Sequence, residues 1–167
     1  MKHAVVKKQE NSAHCLVCGL KNEFGLKASF YELAHGELVA IYSPLNQHQS
    51  YPNRLHGGIA GALLDETVGR AIRIIDNEVF GVTIELSLKY HKPIPLDQEL
   101  RVVGRITKNT SRIFEGTGEI PLQDGTIGVS AFGKYLKMPI EKIADFDVDA
   151  QEWRVNAMEQ DPLEIDL

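Results

Sequence analysis

Cysteine is scarce: Cys15 and Cys18 are the only two in 167 residues. Two cysteines cannot build the disulfide framework of a small secreted domain, so a reduced, cytoplasmic setting is the expectation. No run of about 18 apolar residues exists, which excludes a membrane-spanning helix. Met1 to Asn11 is polar and has no apolar stretch of the signal-peptide kind. Glycine (14) and proline (7) are near average, so collagen-like and low-complexity classes are excluded. An excess of positive charge is also missing. The net charge of -5 disfavours nucleic acid as a partner, because neutralising phosphates needs a basic surface. The phosphate-binding G-x-x-x-x-G-K-[ST], the dinucleotide G-x-G-x-x-G, the zinc-protease H-E-x-x-H and the serine-hydrolase G-x-S-x-G are all absent.

What is present is an ordinary globular composition, 43% apolar and 25% charged. The length predicts one domain with a sizeable core. The charge is unevenly spread. Residues 139–167 hold nine acidic residues against two basic ones, Lys142 and Arg154. The remainder carries 14 acidic and 16 basic side chains, so a mildly basic body (+2) bears an acidic extension (-7).

Periodicity divides the chain into an N-terminal arm (1–26), a domain (27–138) and the acidic extension (139–167). The first 14 residues read as a polar, poorly ordered arm or a short helix. Lys27–Leu33 and Glu37–Ser43 read as strands around an Ala34-His35-Gly36 turn. A polar, turn-rich stretch, Pro44 to Leu55, follows. Ile59, Leu63, Leu64, Val68, Ala71, Ile72 and Ile75 then recur at helical spacing and predict one long helix over 57–76. Beyond it the period is two: Val82, Ile84, Leu86, Leu88 and Tyr90 predict the buried face of a long strand. Glu99–Thr107, Arg112–Ile120 and Thr126–Lys137 predict three more strands, and Asp124-Gly125 is a hairpin signal. Trp153 and nearby apolar residues predict that the extension docks at least partly. One long helix must bury its apolar stripe, and the sheet is the only large surface able to take it. The expected fold is α+β, a curved antiparallel sheet wrapped around one central helix.

The chemistry concentrates at the helix start. Gly57 and Gly58 expose backbone N–H groups that have no intrahelical partner, at the positive end of the helix dipole. Such a place suits an oxygen that develops negative charge. Asp65 lies eight residues after Gly57, about 12 Å along the helix axis. Gly61, Ala62 and Gly69 flank it at helical spacing, which leaves room on its face for a ligand or another backbone. Glu66 beside it reads as a solvated surface residue. Glycine amides that polarise a carbonyl, with a carboxylate that attacks it or activates water, fit acyl transfer from a good leaving group such as a thiol.

The run His56-Gly57-Gly58-Ile59-Ala60-Gly61-Ala62-Leu63-Leu64-Asp65 resembles the hotdog-fold thioesterases of the phenylacetyl-CoA and hydroxybenzoyl-CoA type. The strand ending in Tyr90 and Pro93 matches as well, and the resemblance spans about residues 27–137. It implies that Asp65 is general base or nucleophile, that the Gly57 amide, helped by Gly58, polarises the thioester carbonyl, and that His56 orients the motif. It implies a site at a homodimer interface, alone or within a dimer of dimers, with Asp65 and Gly57 of one site from different subunits. The substrate would be an acyl-CoA, with no other cofactor. Members often carry Asn or Gln six residues before the His. Here that position is Ser50, so Gln49, Ser50 and Asn53, with Tyr90 and Lys92, are the candidate substrate contacts. Lys89, Arg112 and Lys134 are further basic residues that could meet coenzyme A phosphates.

Cys15-x-x-Cys18 alone is a weak metal signal, since zinc usually takes four ligands. His14 is the one further ligand nearby in sequence, and the expectation is two small buried cysteines with no metal. Two other functions remain open: a non-catalytic acyl-CoA-binding module, and a dehydratase on the same fold, which is disfavoured because His56 and Asp65 lie two turns apart.

Overall fold

The computed structural model describes all 167 residues. Eight strands form one antiparallel sheet: β1 (Lys2–Lys8), β2 (Ser29–Leu33), β3 (Leu38–Tyr42), β4 (Phe80–Tyr90), β5 (Leu100–Asn109), β6 (Ile113–Pro121), β7 (Ile127–Met138) and β8 (Glu164–Asp166). Their order across the sheet is β4-β7-β6-β5-β3-β2-β1-β8. The main helix, α1 (Gly57–Ala71), falls between β3 and β4 and packs against β3 to β7. A short helix, α2 (Ile140–Ile143), follows β7. The sheet stays open, with β4 and β8 as its two edges. No helix is long and apolar enough to cross a membrane. The predicted elements between residues 27 and 138 appear in their expected order.

Most of the stripe read from the sequence is the face α1 buries, but Ile59 is only partly buried and Ile75, expected inward on a helix reaching residue 76, is exposed because the α-helix ends at Ala71. Ala60, Leu63, Leu64, Val68 and Ala71 lie inward, and the chain continues through one 3-10 turn over Ile72–Ile74. Each buried Leu or Val is worth roughly 1.5–3 kcal/mol of transfer free energy. Tyr42, Leu100, Val102, Ile120 and Val129 supply the opposing sheet face. The helix can seat closely because the sheet below it is bare at Gly104, Gly116 and Gly118. A Cβ on Gly104 would lie 2.9 Å from the Thr67 carbonyl oxygen. One on Gly118 would lie 2.7 Å from Val68 Cγ2.

Three further expectations change. Residues 2–8, read as an arm or short helix, form a strand paired with β2 and β8. Its lysines hid the signal, because β1 lies at the outer end of the sheet where one face is wet. The acidic extension ends in β8, whose Ile165 is buried against Tyr31, Leu33, Val39 and Val103. Its charge is complementary to the N-terminal segment: Lys8 meets Asp161 at 2.6 Å, and Lys2 meets Glu164 at 3.6 Å. Finally, β4 does not keep strict alternation. The register shifts between Thr83 and Glu85. Thr83, not Val82 or Ile84, thereby turns toward α1, and Ile84 is left exposed.

Replacing Gly118 by alanine is expected to lower stability by about 1–3 kcal/mol, since the new methyl overpacks against Val68. Urea unfolding checks this, and an unchanged midpoint would contradict the close-seating account.

Candidate active site

His56 is the N-cap of α1. Its backbone is extended (φ -63°, ψ 132°), and its Nδ1 accepts a hydrogen bond from the Gly58 N–H at 2.9 Å. That bond takes the Gly58 amide. The Gly57 N–H has no partner within the chain, and Gly57 is only half-buried. Tyr90, at the far end of β4, donates to the Gly57 carbonyl at 2.7 Å. Its ring fills the space beside Gly57, where a Cβ would come within 3.3 Å. The loop before the helix is tied in from behind. The His56 N–H donates to the His48 carbonyl at 2.9 Å. The buried His48 ring meets the Tyr42 hydroxyl at 2.6 Å. The helix start is therefore fixed on three sides, with one amide free.

Asp65, two turns further along, occupies a different environment. It is half-buried, and its Oδ1 accepts from the Thr83 hydroxyl at 2.9 Å and the Tyr135 hydroxyl at 3.1 Å. Tyr135 also reaches the Asp65 carbonyl at 3.1 Å. Thr83 and Tyr135 are directly opposed across the β4–β7 ladder. Tyr135 is buried and stacks on Phe114 with ring centroids 4.9 Å apart. A rigid cross-strand pair thus holds one carboxylate oxygen and leaves Oδ2 unbonded. Burial pushes the Asp65 pKa above its ordinary value, and the two hydroxyl donors partly offset the rise. A cavity of about 180 Å³ opens beside it, lined among others by Phe80, Gly69, Tyr135 and Trp153. Trp153 arrives from the C-terminal extension and stacks against the Arg70 and Arg73 guanidinium groups.

Of the other candidate residues, Gln49, Ser50 and Asn53 lie in the loop that leads into the helix start, whereas Lys134 adjoins Tyr135 on β7. The Gln49 Oε1 accepts from the Asn53 N–H at 3.1 Å, and Asn53 sits at φ 59°, a left-handed conformation that asparagine tolerates. The Ser50 N–H donates to the Arg54 carbonyl at 2.8 Å, closing the same turn. Lys92 pairs with Asp124 at 3.1 Å, on the β6–β7 turn. Lys134 lies 3.9 Å from Glu115. Glu66 is not a free surface residue, because it holds the buried Arg70 at 2.8 Å. Sequence reasoning missed Thr83, Tyr135 and Trp153. Tyr135 was findable as an inward position of β7, whereas Thr83 was hidden by the bulge.

Loss of the His56 cap is expected to cost about 1 kcal/mol in a His56→Ala variant, and His56→Asn is expected to recover most of it. Thermal melts of the two variants check this, and equal melting of both would contradict the capping role.

Residues 53–129 match the family model described as the thioesterase superfamily. No curated protein matches the chain in sequence. Among solved structures, the chain is similar to a thioesterase superfamily protein with 28% identity and a TM-score of 0.68, over 74% of this chain and 60% of that one. The chain thus spans about 60% of that protein's length. A thioesterase from Haemophilus influenzae superimposes with a TM-score of 0.65 at 11% identity, over 74% of this chain and 86% of that one. A hypothetical thioesterase from Streptococcus pneumoniae, solved with coenzyme A, gives a TM-score of 0.57 at 24% identity, over 62% and 82%. Residues 53–129 are thus similar to the thioesterase superfamily, and the open antiparallel sheet with its single main helix is consistent with the hotdog fold.

Proposed function

We propose that the protein hydrolyses an acyl-CoA thioester, with Asp65 as general base or nucleophile and the Gly57 amide as the oxyanion donor. The observation that carries this reading is the held carboxylate. Thr83 and Tyr135 fix one oxygen of Asp65, and the other is unbonded beside a cavity. The partial burial that raises its pKa also makes it a better proton acceptor than a fully solvated aspartate. The coenzyme A found with the Streptococcus pneumoniae relative supports the same ligand class here.

A single chain does not assemble this site. Gly57 and Asp65 are separated by about 12 Å of helix rise, and the cavity beside Asp65 does not include the helix start. The free edge of β4 supplies the remedy. Its Thr83 end touches Asp65, and its Tyr90 end touches Gly57. Pairing β4 antiparallel with the same strand of a second copy reverses one end against the other. The partner's helix start then comes beside Asp65. An 11-residue edge strand with exposed Ile84 and Tyr90 is also a surface that a soluble monomer normally protects. The smallest working species in this reading is a homodimer, alone or within a tetramer.

In the reaction, the substrate carbonyl oxygen points at the Gly57 N–H, where the helix dipole favours developing negative charge. Asp65 either takes a proton from an attacking water or attacks the carbonyl carbon itself. Collapse of the tetrahedral species breaks the carbon–sulfur bond. In the base route the proton taken by Asp65 passes to the departing thiolate as the free acid forms. In the nucleophile route water then hydrolyses the Asp65–acyl anhydride, restoring the carboxylate and supplying the proton of the coenzyme A thiol. Asp65→Asn is expected to lower kcat at least 10²-fold across a panel of acyl-CoA thioesters, with binding retained. Hydrolysis by the variant at the wild-type rate would overturn the role of Asp65. Ser50, at the place where the family resemblance expects Asn or Gln, favours a second reading as an acyl-CoA-binding module. Tight acyl-CoA binding by the wild type without turnover would select it.

A further inference from the structure

Outside the proposed hydrolytic machinery, the structure gathers two thiols and a carboxylate at one point. The turn Cys15-Leu16-Val17-Cys18-Gly19 closes through the Gly19 N–H, which donates to the Cys15 carbonyl at 2.8 Å. It closes only because residue 19 has no side chain, since a Cβ there would lie 2.3 Å from the Cys15 oxygen. Cys18 is fully buried and Cys15 is partly exposed. Their sulfurs meet Glu66, which projects from α1, and the donor atoms of all three residues lie within 4.8 Å of one another. His14, the extra ligand available in the sequence, is exposed and outside this group.

Each of the three donors is also oriented by a second hydrogen bond. The Val17 N–H donates to Cys15 Sγ at 3.4 Å. The Ser12 hydroxyl meets Cys18 Sγ at 3.4 Å. The buried Arg70 donates from Nη2 to Cys18 Sγ at 3.1 Å and from Nε to Glu66 Oε1 at 2.8 Å. Arg70 is itself held by the Glu10 carbonyl at 2.7 Å and lies over the Phe30 ring at 4.4 Å. Outer hydrogen bonds of this kind orient the ligands of a metal site.

We propose that Cys15, Cys18 and Glu66 form a three-ligand site for a thiophilic divalent cation of the Zn²⁺ class, with solvent in the fourth position. Two thiolates and a carboxylate carry three negative charges. A divalent ion and the Arg70 guanidinium carry three positive ones, so the filled cluster is neutral in a place where net charge is costly. Thiolate ligands select zinc-like ions over magnesium or calcium, which require oxygen. Tetrahedral coordination places such donors about 3.5–3.8 Å apart, so the group closes on an ion by side-chain shifts of about 1 Å. Entry is open from the partly exposed Cys15 and Glu66. Binding would displace the thiol protons and tie the N-terminal turn to α1. The site is independent of the thioesterase reading, and each can fail without the other.

The test uses the full-length chain, reduced and stripped with a chelator, then titrated with Co²⁺. The expected result is saturation at one ion per chain, with a thiolate-to-cobalt charge-transfer band that Zn²⁺ displaces. Cys15→Ser is expected to abolish the band, and Glu66→Gln to weaken Co²⁺ binding by about tenfold or more. Circular dichroism confirms that Cys15→Ser is folded, and if it is not, Glu66→Gln decides. The proposal is overturned if the reduced wild type gives no band or if the deciding variant binds Co²⁺ as the wild type does.

Discussion

The close seating of α1 on the sheet is the constraint from which the rest of the structure follows. Gly104 and Gly118 leave no side chain beneath Thr67 and Val68, and the helix backbone settles where side chains would otherwise stand. A helix held that near cannot turn or slide without overlapping the strands below it. Its register relative to β4 and β7 is therefore fixed, and with it the position of every residue on its outer flank. Asp65 is on that flank, placed where the opposed Thr83 and Tyr135 hydroxyls both reach one carboxylate oxygen.

The same seating accounts for the separation of the two ends of the proposed site. Tyr90 and His56 hold the helix start at one end of β4, and Thr83 holds Asp65 near the other. The helix is rigid, so no motion within one chain brings the Gly57 amide to the carboxylate. The opposite end of the sheet is closed differently. β8 covers β1, and acidic residues of the C-terminal extension meet the lysines of the N-terminal segment. Coverage of that edge leaves β4 as the long free one. The acidic extension thus has a structural role: it docks on its own chain, and its Trp153 forms part of the wall of the cavity beside Asp65.

The fold was legible wherever the burial pattern was simple. The helical stripe appears as read from Leu63 to Ile72, though not out to Ile75, and the hairpin at Asp124-Gly125 appears with Gly125 at φ 77°. The outer strands were not legible, because β1 is rich in lysine and β8 is three residues long. At the site, the His-Gly-Gly run and Asp65 stood out as residue types in an unusual pattern. Their supports did not. A one-residue register shift exchanged Ile84 for Thr83 on the inner face, and no periodicity rule anticipates where a bulge falls. Glu66 looked solvated because the two cysteines reach it only through the tertiary fold, whereas its pairing with Arg70, four residues along the same helix, was open to a spacing argument.

The central claim is that one catalytic unit draws Asp65 from one chain and the Gly57 amide from another. Subunit complementation tests it most directly. Gly57→Pro removes the N–H at the first helical position, where the backbone suits proline and the Tyr90 ring must yield by a few tenths of an ångström to the new Cβ, and Asp65→Asn removes the carboxylate. Each variant alone should be inactive toward acyl-CoA thioesters. When the two are unfolded together and refolded as a mixture, a shared site predicts that activity returns to about a quarter of the wild-type level, because every mixed dimer holds one intact site. A mixture as inactive as its components, with mixed dimers shown to be present by mass, would contradict the account.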